Sequence, residues 1–133
     1  MPTVFTRIIA GELPARFVWT DDACVAFLTI APLRPGHVLV VPRAEVDRWT
    51  DADDDLLAHL LRVGKRIGRA QQAAFGAVRT GLVVAGFEVA HLHLHVFPAE
   101  GMEDFDFARA DTAADPADLD AAADALRGAL RAR

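Results

Sequence analysis

A chain of 133 residues, 53% of them hydrophobic, is long enough for one globular domain with its own core. Its net charge of -5 and isoelectric point near 5.4 argue against a general binder of nucleic acid or membrane surfaces, since neither attracts an acidic protein. The single cysteine, Cys24, excludes an internal disulfide and zinc sites built from two or four thiolates.

That cysteine usage fits a reducing, cytoplasmic setting. The opening "MPTVFTRIIAGELP" lacks the apolar run of a signal peptide, and no stretch approaches bilayer-spanning length, so a soluble protein is expected. "TVFTRIIAGELP" reads as a short helix with Thr3 as N-cap and Gly11 as its stop. "ARFVWT" and "CVAFLT" read as strands joined by a hairpin at Asp21-Asp22. Pro32, Pro35 and Gly36 stiffen the next loop, which delivers the chain into a third strand, "HVLVVP", starting at His37.

The longest helix follows, with Thr50 as its cap, Asp53 to Asp55 as dipole partners, and Leu56, Leu60, Val63, Ile67 and Ala74 recurring at helical spacing until Gly76. Residues 78–85 predict a fourth strand, and Gly86 a tight hairpin into a fifth, giving about five antiparallel strands. An acidic loop then runs from Glu100 to Asp115, pinned by Phe105 and Phe107 while its aspartates stay solvated. Asp115 and Pro116 open a last helix whose Leu119, Ala122, Leu126 and Leu130 share one face. The expected division is a main domain over 1–100, with the acidic loop and last helix (101–133) packed on it.

"AHLHLHVFP" carries the functional signal. Strict alternation predicts a half-buried strand, with His91, His93 and His95 on one face, about 6.5–7 Å apart at Cα. Leu92, Leu94 and Val96 then point into the core, and Pro98 ends the strand. A lone histidine is ordinarily a surface or satisfied core residue, and His59 is read that way. Three imidazoles side by side are different, because burying them costs desolvation and invites mutual repulsion on protonation.

Two chemistries use this spacing. Neutral imidazoles can converge on a metal, with His37, Glu88 or Glu100 completing the site. Alternatively a neutral imidazole attacks a phosphate while its far nitrogen is held by a hydrogen bond and its neighbours bind phosphate oxygens. Spacing alone does not choose between them.

The run His91 through Phe97 resembles the pattern that names the histidine triad family. "FTRIIAGELP", "DDACVAFLTIAPLRPGHVLVVPR" and the long central helix resemble that family in the same order, so the likeness covers residues 3 to about 98. It implies an α+β fold on a five-stranded antiparallel sheet, with N-terminal and central helices, a homodimer joined through sheet and central helix, and nucleotidyl transfer or hydrolysis at the α-phosphate of a purine nucleotide derivative. By position match His93 is the nucleophile, His95 and His37 contact phosphate oxygens, and His91 supports them by hydrogen bonding. Phe5, Ile8, Phe27, Thr29, Ile30 and Leu39 match the nucleoside pocket, although Leu39 reads equally well as core.

Departures from the family pattern are specific. Zinc-containing members carry a Cys-x-x-Cys and a later histidine that complete a site with the first triad histidine; this chain has Thr3, Thr6 and Glu45 there, so neither metal nor cofactor is expected. Thr29 stands where an acidic residue holds the ribose hydroxyls. Phe87 and Glu88 replace leaving-group donors in a shortened loop, "VVAGFEVAH". A nucleotide-binding module without turnover, and a metal-binding protein using the His-x-His-x-His strand, stand as alternatives.

Overall fold

The computed structural model describes residues 2–132. Its elements are α1 (Val4–Ile9), β1 (Phe17–Thr20), β2 (Cys24–Leu28), β3 (Val38–Pro42), α2 (Asp54–Phe75), β4 (Arg79–Val83), β5 (Leu94–Ala99) and α3 (Pro116–Arg131), with short 3-10 turns at Trp49–Asp51, Met102–Phe105 and Phe107–Arg109. The strands form one sheet in the order β1-β2-β3-β5-β4, every neighbouring pair antiparallel. This is the expected α+β architecture.

The period of two in β2 and β3 sorts their side chains onto two faces. Cys24, Ala26, Leu28, Val38 and Val40 join Leu92, Leu94 and Val96 beneath α2 and α3, where Leu60, Val63, Ile67, Ala123 and Leu126 complete the main core. Val25, Phe27, Leu39 and Val41 face the other way, under Phe5 of α1. Both faces being covered, every residue of β2 and β3 is buried. The alternation of the histidine run puts its imidazoles on the α1 face.

Thr3 caps α1 as expected, its hydroxyl accepting the Thr6 N–H at 3.1 Å. The Asp21-Asp22 hairpin forms, with Asp21 Oδ1 accepting the N–H groups of Ala23 and Cys24, both at 2.8 Å. Asp115 caps α3 by accepting the Ala117 N–H at 2.9 Å, with Pro116 in its first turn. α3 lies against α2 and β1 through Leu119, Ala122, Ala123 and Leu126, with Leu130 only partly buried.

Several boundaries differ from the sequence reading. Thr50 lies in a 3-10 turn, and α2 starts only at Asp54 behind Asp53, which makes no side-chain capping bond. Ala74 is exposed; the buried stripe of α2 instead runs through Ala70 and Gln71, and the helix ends on Gly76 in the left-handed region. Gly86 does not make a tight hairpin, because the β4–β5 ladder stops at the Val83–His95 pair and residues 84–93 form a longer connection.

The hydrogen-bonded strand begins at Leu94 rather than His91 because the β3–β5 ladder stops at the Val40–Leu94 pair; beyond it the Leu92 N–H donates to the Val46 carbonyl at 2.7 Å and His91 Nε2 donates to the Pro42 carbonyl at 2.8 Å. Pro98 does not end the strand; it pairs with Thr80 beyond the last β3 pair, Val38–Val96, where a missing donor is tolerated. Asp104 does not stay solvated: it is buried, and its carboxylate accepts the Glu100 N–H at 2.8 Å.

Candidate functional site

One cross-strand row sets out the site. Phe17 pairs with Phe27, Phe27 with Leu39, and Leu39 with His95, so four residues from β1, β2, β3 and β5 stand side by side on one face. Phe5 closes over this row, its ring edge-on to Phe27 (5.7 Å between centroids), His91 (5.7 Å) and His93 (5.0 Å). His37 arrives from the loop before β3, where Gly36, at φ +93°, turns the chain in a conformation that L side chains rarely adopt and has no room for a side chain beside Phe75.

Each imidazole is held by partners that dictate its tautomer. The Leu33 N–H donates to His37 Nδ1 at 3.0 Å, so the His37 proton sits on Nε2 and is given to His95 Nδ1 at 3.0 Å. His95 therefore carries its proton on Nε2. His93 Nδ1–H donates to the His91 carbonyl at 2.7 Å, leaving the lone pair on its Nε2. Neither Nε2 has a protein partner, yet neither is sealed from solvent: among the described residues Gln71 Oε1 is the fully buried side-chain N or O atom left without one. The site thus presents a lone pair on His93 next to an N–H donor on His95, with ring centroids 4.9 Å apart.

Electrostatics keep these rings uncharged. Burial pushes His37 down to about 3, with His95 and His93 adding like-charge repulsion. Burial likewise pushes His95 down to about 4, again helped by His93. His93 is lowered chiefly by burial, with the His91 carbonyl and the Glu88 carboxylate pulling the other way. All three are neutral at pH 7, which a nitrogen nucleophile requires.

Beneath the site runs a polar chain. His91 Nε2–H donates to the Pro42 carbonyl, so its Nδ1 accepts the Thr3 hydroxyl at 2.7 Å; Thr3 and Thr6 oxygens lie 3.2 Å apart, and the Thr6 hydroxyl donates to Glu45. That bond holds Glu45 below the ordinary carboxylate range. By the resemblance, these four residues match the positions expected to hold a zinc ion in zinc-bearing family members. They do not fit one: two hydroxyls and a single carboxylate replace soft or imidazole donors, and both His91 nitrogens are already engaged. The triad imidazoles do not converge on a common point either. Among the described residues, the three ligand-type side chains whose atoms lie within 4.8 Å of one another are Asp21, Cys24 and His59. There His59 Nε2 and Trp19 Nε1 both lie 2.8 Å from Asp21 Oδ2. Burial and the neighbouring Asp21 push the Cys24 thiol up to about 12. His59 is thus a satisfied, half-buried residue away from the triad.

Phe5, Ile8, Phe27, Thr29, Ile30 and Leu39 all line one cavity of about 620 Å³ on the α1 face. Leu39 is both core and wall. Ile30 is 74% exposed, so it forms a rim rather than a floor. Thr29 Oγ1 accepts the Ala31 N–H at 3.1 Å. Phe87, 97% exposed, and the exposed Glu88 stand in the connection before the triad, and Glu100 lies 4.0 Å from Arg34.

Residues that sequence reasoning missed reach the site through contacts between distant segments. Phe107, expected only to anchor the acidic loop, packs edge-on against His95 at 4.8 Å and lies 6.5 Å from His37, whereas Phe105 packs on Phe97. Gln71, fully buried on α2, donates to the Gly36 and Val96 carbonyls, both at 2.8 Å, tying the His37 loop to β5. A polar residue on the buried stripe of an amphipathic helix was the available clue. Arg16 and Asp120, 104 positions apart in sequence, meet on the cavity wall at 2.6 Å.

Comparison with known proteins agrees with this geometry. The model of the HIT domain matches residues 10–102. The uncharacterized HIT-like protein Rv1262c of Mycobacterium tuberculosis is 41% identical over 103 residues, 74% of this chain and 72% of that one. The crystal structure of a Zn-bound histidine triad family protein from Mycobacterium smegmatis superposes with a TM-score of 0.84 at 30% identity, covering 97% of this chain and 93% of the other. A hypothetical histidine triad nucleotide-binding protein, ST2152 from Sulfolobus tokodaii, gives 0.85 at 28%, covering 97% and 92%. The sequence likeness had been limited to residues up to about 98, but these folds also span the acidic loop and α3. The family model, the shared sequence and the shared fold together place this chain in the HIT domain family.

Proposed function

We propose that this protein is a nucleotide-binding hydrolase or nucleotidyltransferase acting at the α-phosphate of a purine nucleotide derivative, such as a phosphoramidate or phosphoanhydride. The observation that carries this reading is the 2.7 Å bond from His93 Nδ1 to the His91 carbonyl, which leaves the Nε2 lone pair free beside the fixed His95 N–H. His93 Nε2 attacks phosphorus and the bond to the leaving group breaks, that group taking a proton from solvent water; a nucleotidyl-histidine remains. Water then attacks the same phosphorus and gives up a proton to solvent, the P–N bond to His93 breaks, and His93 recovers its lone pair. His95 Nε2–H opposes the charge that grows on the phosphate oxygens, and a fixed donor in a partly dry site does this without reorganising; His37, matched by the resemblance to a phosphate contact, has both nitrogens engaged and acts by holding the His95 tautomer. Phe5, Ile8, Phe27, Ile30 and Leu39 enclose the base, and Thr29 faces the ribose.

A non-catalytic nucleotide binder is the second reading, favoured by Phe87 and Glu88 standing exposed in the connection before the triad, where the resemblance expects leaving-group donors. Turnover separates the two. Wild-type protein mixed with adenosine and guanosine phosphoramidates and dinucleoside polyphosphates, then quenched without acid, is expected to show a nucleotidyl adduct mapping to residue 93. His93→Ala is expected to bind nucleotide and turn none over. An adduct on His91 or His95, or undiminished turnover in His93→Ala, would overturn the assignment.

We further propose a homodimer. α2 and the edge strand β4 border a groove of about 400 Å³ whose walls include Leu61, Gly68, Thr80 and Leu82, and Leu61 and Leu82 are 46% and 48% exposed. An unpaired edge strand beside exposed leucines is a surface a second copy would cover. Light scattering is expected to give twice 14.4 kDa at micromolar concentration, and a monomer would refute it.

A further inference from the structure

We propose that Arg16 and Asp120 read the polar edge of the base at the far end of the pocket and make it prefer guanine to adenine. This rests on the nucleotide reading above and adds a specificity to it.

The sheet fixes which end of the pocket receives the base. The row Phe17, Phe27, Leu39, His95 crosses three strand spacings, so Arg16, next to Phe17, lies about 14 Å from His95 across the sheet. That span is comparable with the reach from an α-phosphate to the distal edge of its purine. A phosphate at the histidines therefore delivers the base edge to Arg16. Between them the cavity is apolar, with Phe5, Ile8 and Phe27 offering faces to a flat ring.

At that end the wall turns polar. Arg16 Nε donates to Asp120 Oδ1 at 2.6 Å, and its Nη2 reaches the Pro116 carbonyl at 3.5 Å. Among the described residues Arg16 Nη1 and Asp120 Oδ2 have no hydrogen-bond partner, so the pair keeps one donor and one acceptor for a ligand. An ion pair with side chains 27% and 67% exposed adds little to stability, so the fold itself does not require this arrangement.

The chemistry discriminates between the purines. Guanine presents two adjacent donors, N1–H and N2–H, to the Asp120 carboxylate, whose Oδ2 is free and whose Oδ1 keeps a second lone pair beside the Arg16 bond, and O6 to the guanidinium, giving three charge-assisted bonds. Adenine offers that carboxylate only its N6–H and carries a C–H where guanine has N2. Hypoxanthine, without the exocyclic amino group, falls between them.

Binding of GMP, IMP and AMP is measured by calorimetry for wild type, Asp120→Asn, Arg16→Lys and the control Asp124→Asn, whose residue lies on α3 outside the pocket and pairs with Arg127. Wild type is expected to bind GMP about tenfold more tightly than AMP, with IMP between, as for a good bidentate base contact. Asp120→Asn is expected to bring that ratio to within about twofold by weakening GMP, because the carboxylate is lost. Arg16→Lys should reduce it less, and Asp124→Asn should leave it unchanged. Equal affinity for GMP and AMP in wild type, or a ratio untouched in Asp120→Asn even where its thermal transition falls, would overturn the inference while leaving the nucleotide reading intact. If wild type binds none of the three, the nucleotide reading fails and takes this one with it.

Discussion

His37 Nε2 lies 3.0 Å from His95 Nδ1, and the Leu33 N–H lies 3.0 Å from the other nitrogen of His37. A backbone amide in the proline-rich loop thus selects, through two imidazoles, which nitrogen of His95 carries the proton. Replacing His37 with Leu removes that relay without adding charge. Turnover is expected to fall by about 10²-fold or more, the range seen when one oxyanion donor is lost, with nucleotide binding much less affected. Single-turnover kinetics alongside equilibrium binding checks this.

Acid should unfold the protein through the same rings. In the unfolded chain an imidazole titrates near 6.5, while His37 and His95 in the fold lie at about 3 and about 4. Between those values the unfolded state binds more protons, so stability is full above about pH 6.5 and declines as pH falls toward 4 and 3. Thermal melts from pH 7 to 4 should show this fall, and His37→Leu should flatten it. A profile unchanged by that substitution would contradict the buried neutral state.

Polar contacts link His91 through Thr3 and Thr6 to Glu45, a residue set that does not fit a metal ion. Excess chelator is therefore expected to leave the thermal transition where it is, since no folding energy comes from an ion. Thr3→Val removes both the helix cap and the donor to His91, and should cost about 1–3 kcal/mol. Chelator and variant melts, read together, test both statements.

Glu88 is an exposed carboxylate in the connection before the triad. Glu88→Gln should lower KM for an anionic substrate by a few-fold, most clearly at low salt, because a like charge near the phosphate is removed. An unchanged KM across ionic strength would show that Glu88 stands clear of the bound phosphate.

Removing residues 116–133 should destabilise the whole domain. Leu119 and Leu126 are buried against α2 and β1, and each is worth about 1.5–3 kcal/mol of burial. The truncation also deletes Arg127, which donates to the Phe17 carbonyl at 2.8 Å, and Asp120 beside Arg16. Denaturant titration is expected to show a lower midpoint, and an unchanged one would mean that α3 is an appendage.

Local pattern in the sequence determined most of the elements and the identity of the histidine site. Alternation alone assigns Leu92, Leu94 and Val96 to one face and the three histidines to the other, because the β period is two and tertiary context cannot change it. The caps at Thr3 and Asp115 and the hairpin at Asp21 are likewise short-range chemistry. Boundaries set by a partner strand were not legible: β5 starts where Leu94 pairs with Val40, which lies 54 positions before it. Only the tertiary structure decided the tautomers, since His37 meets His95 across 58 positions and His91 meets Thr3 across 88. It also brought Phe107 onto His95 and Asp120 onto Arg16, contacts between segments far apart in sequence. Hydrogen bonds and ring contacts between distant segments are properties of packing, and packing is fixed by the whole chain at once.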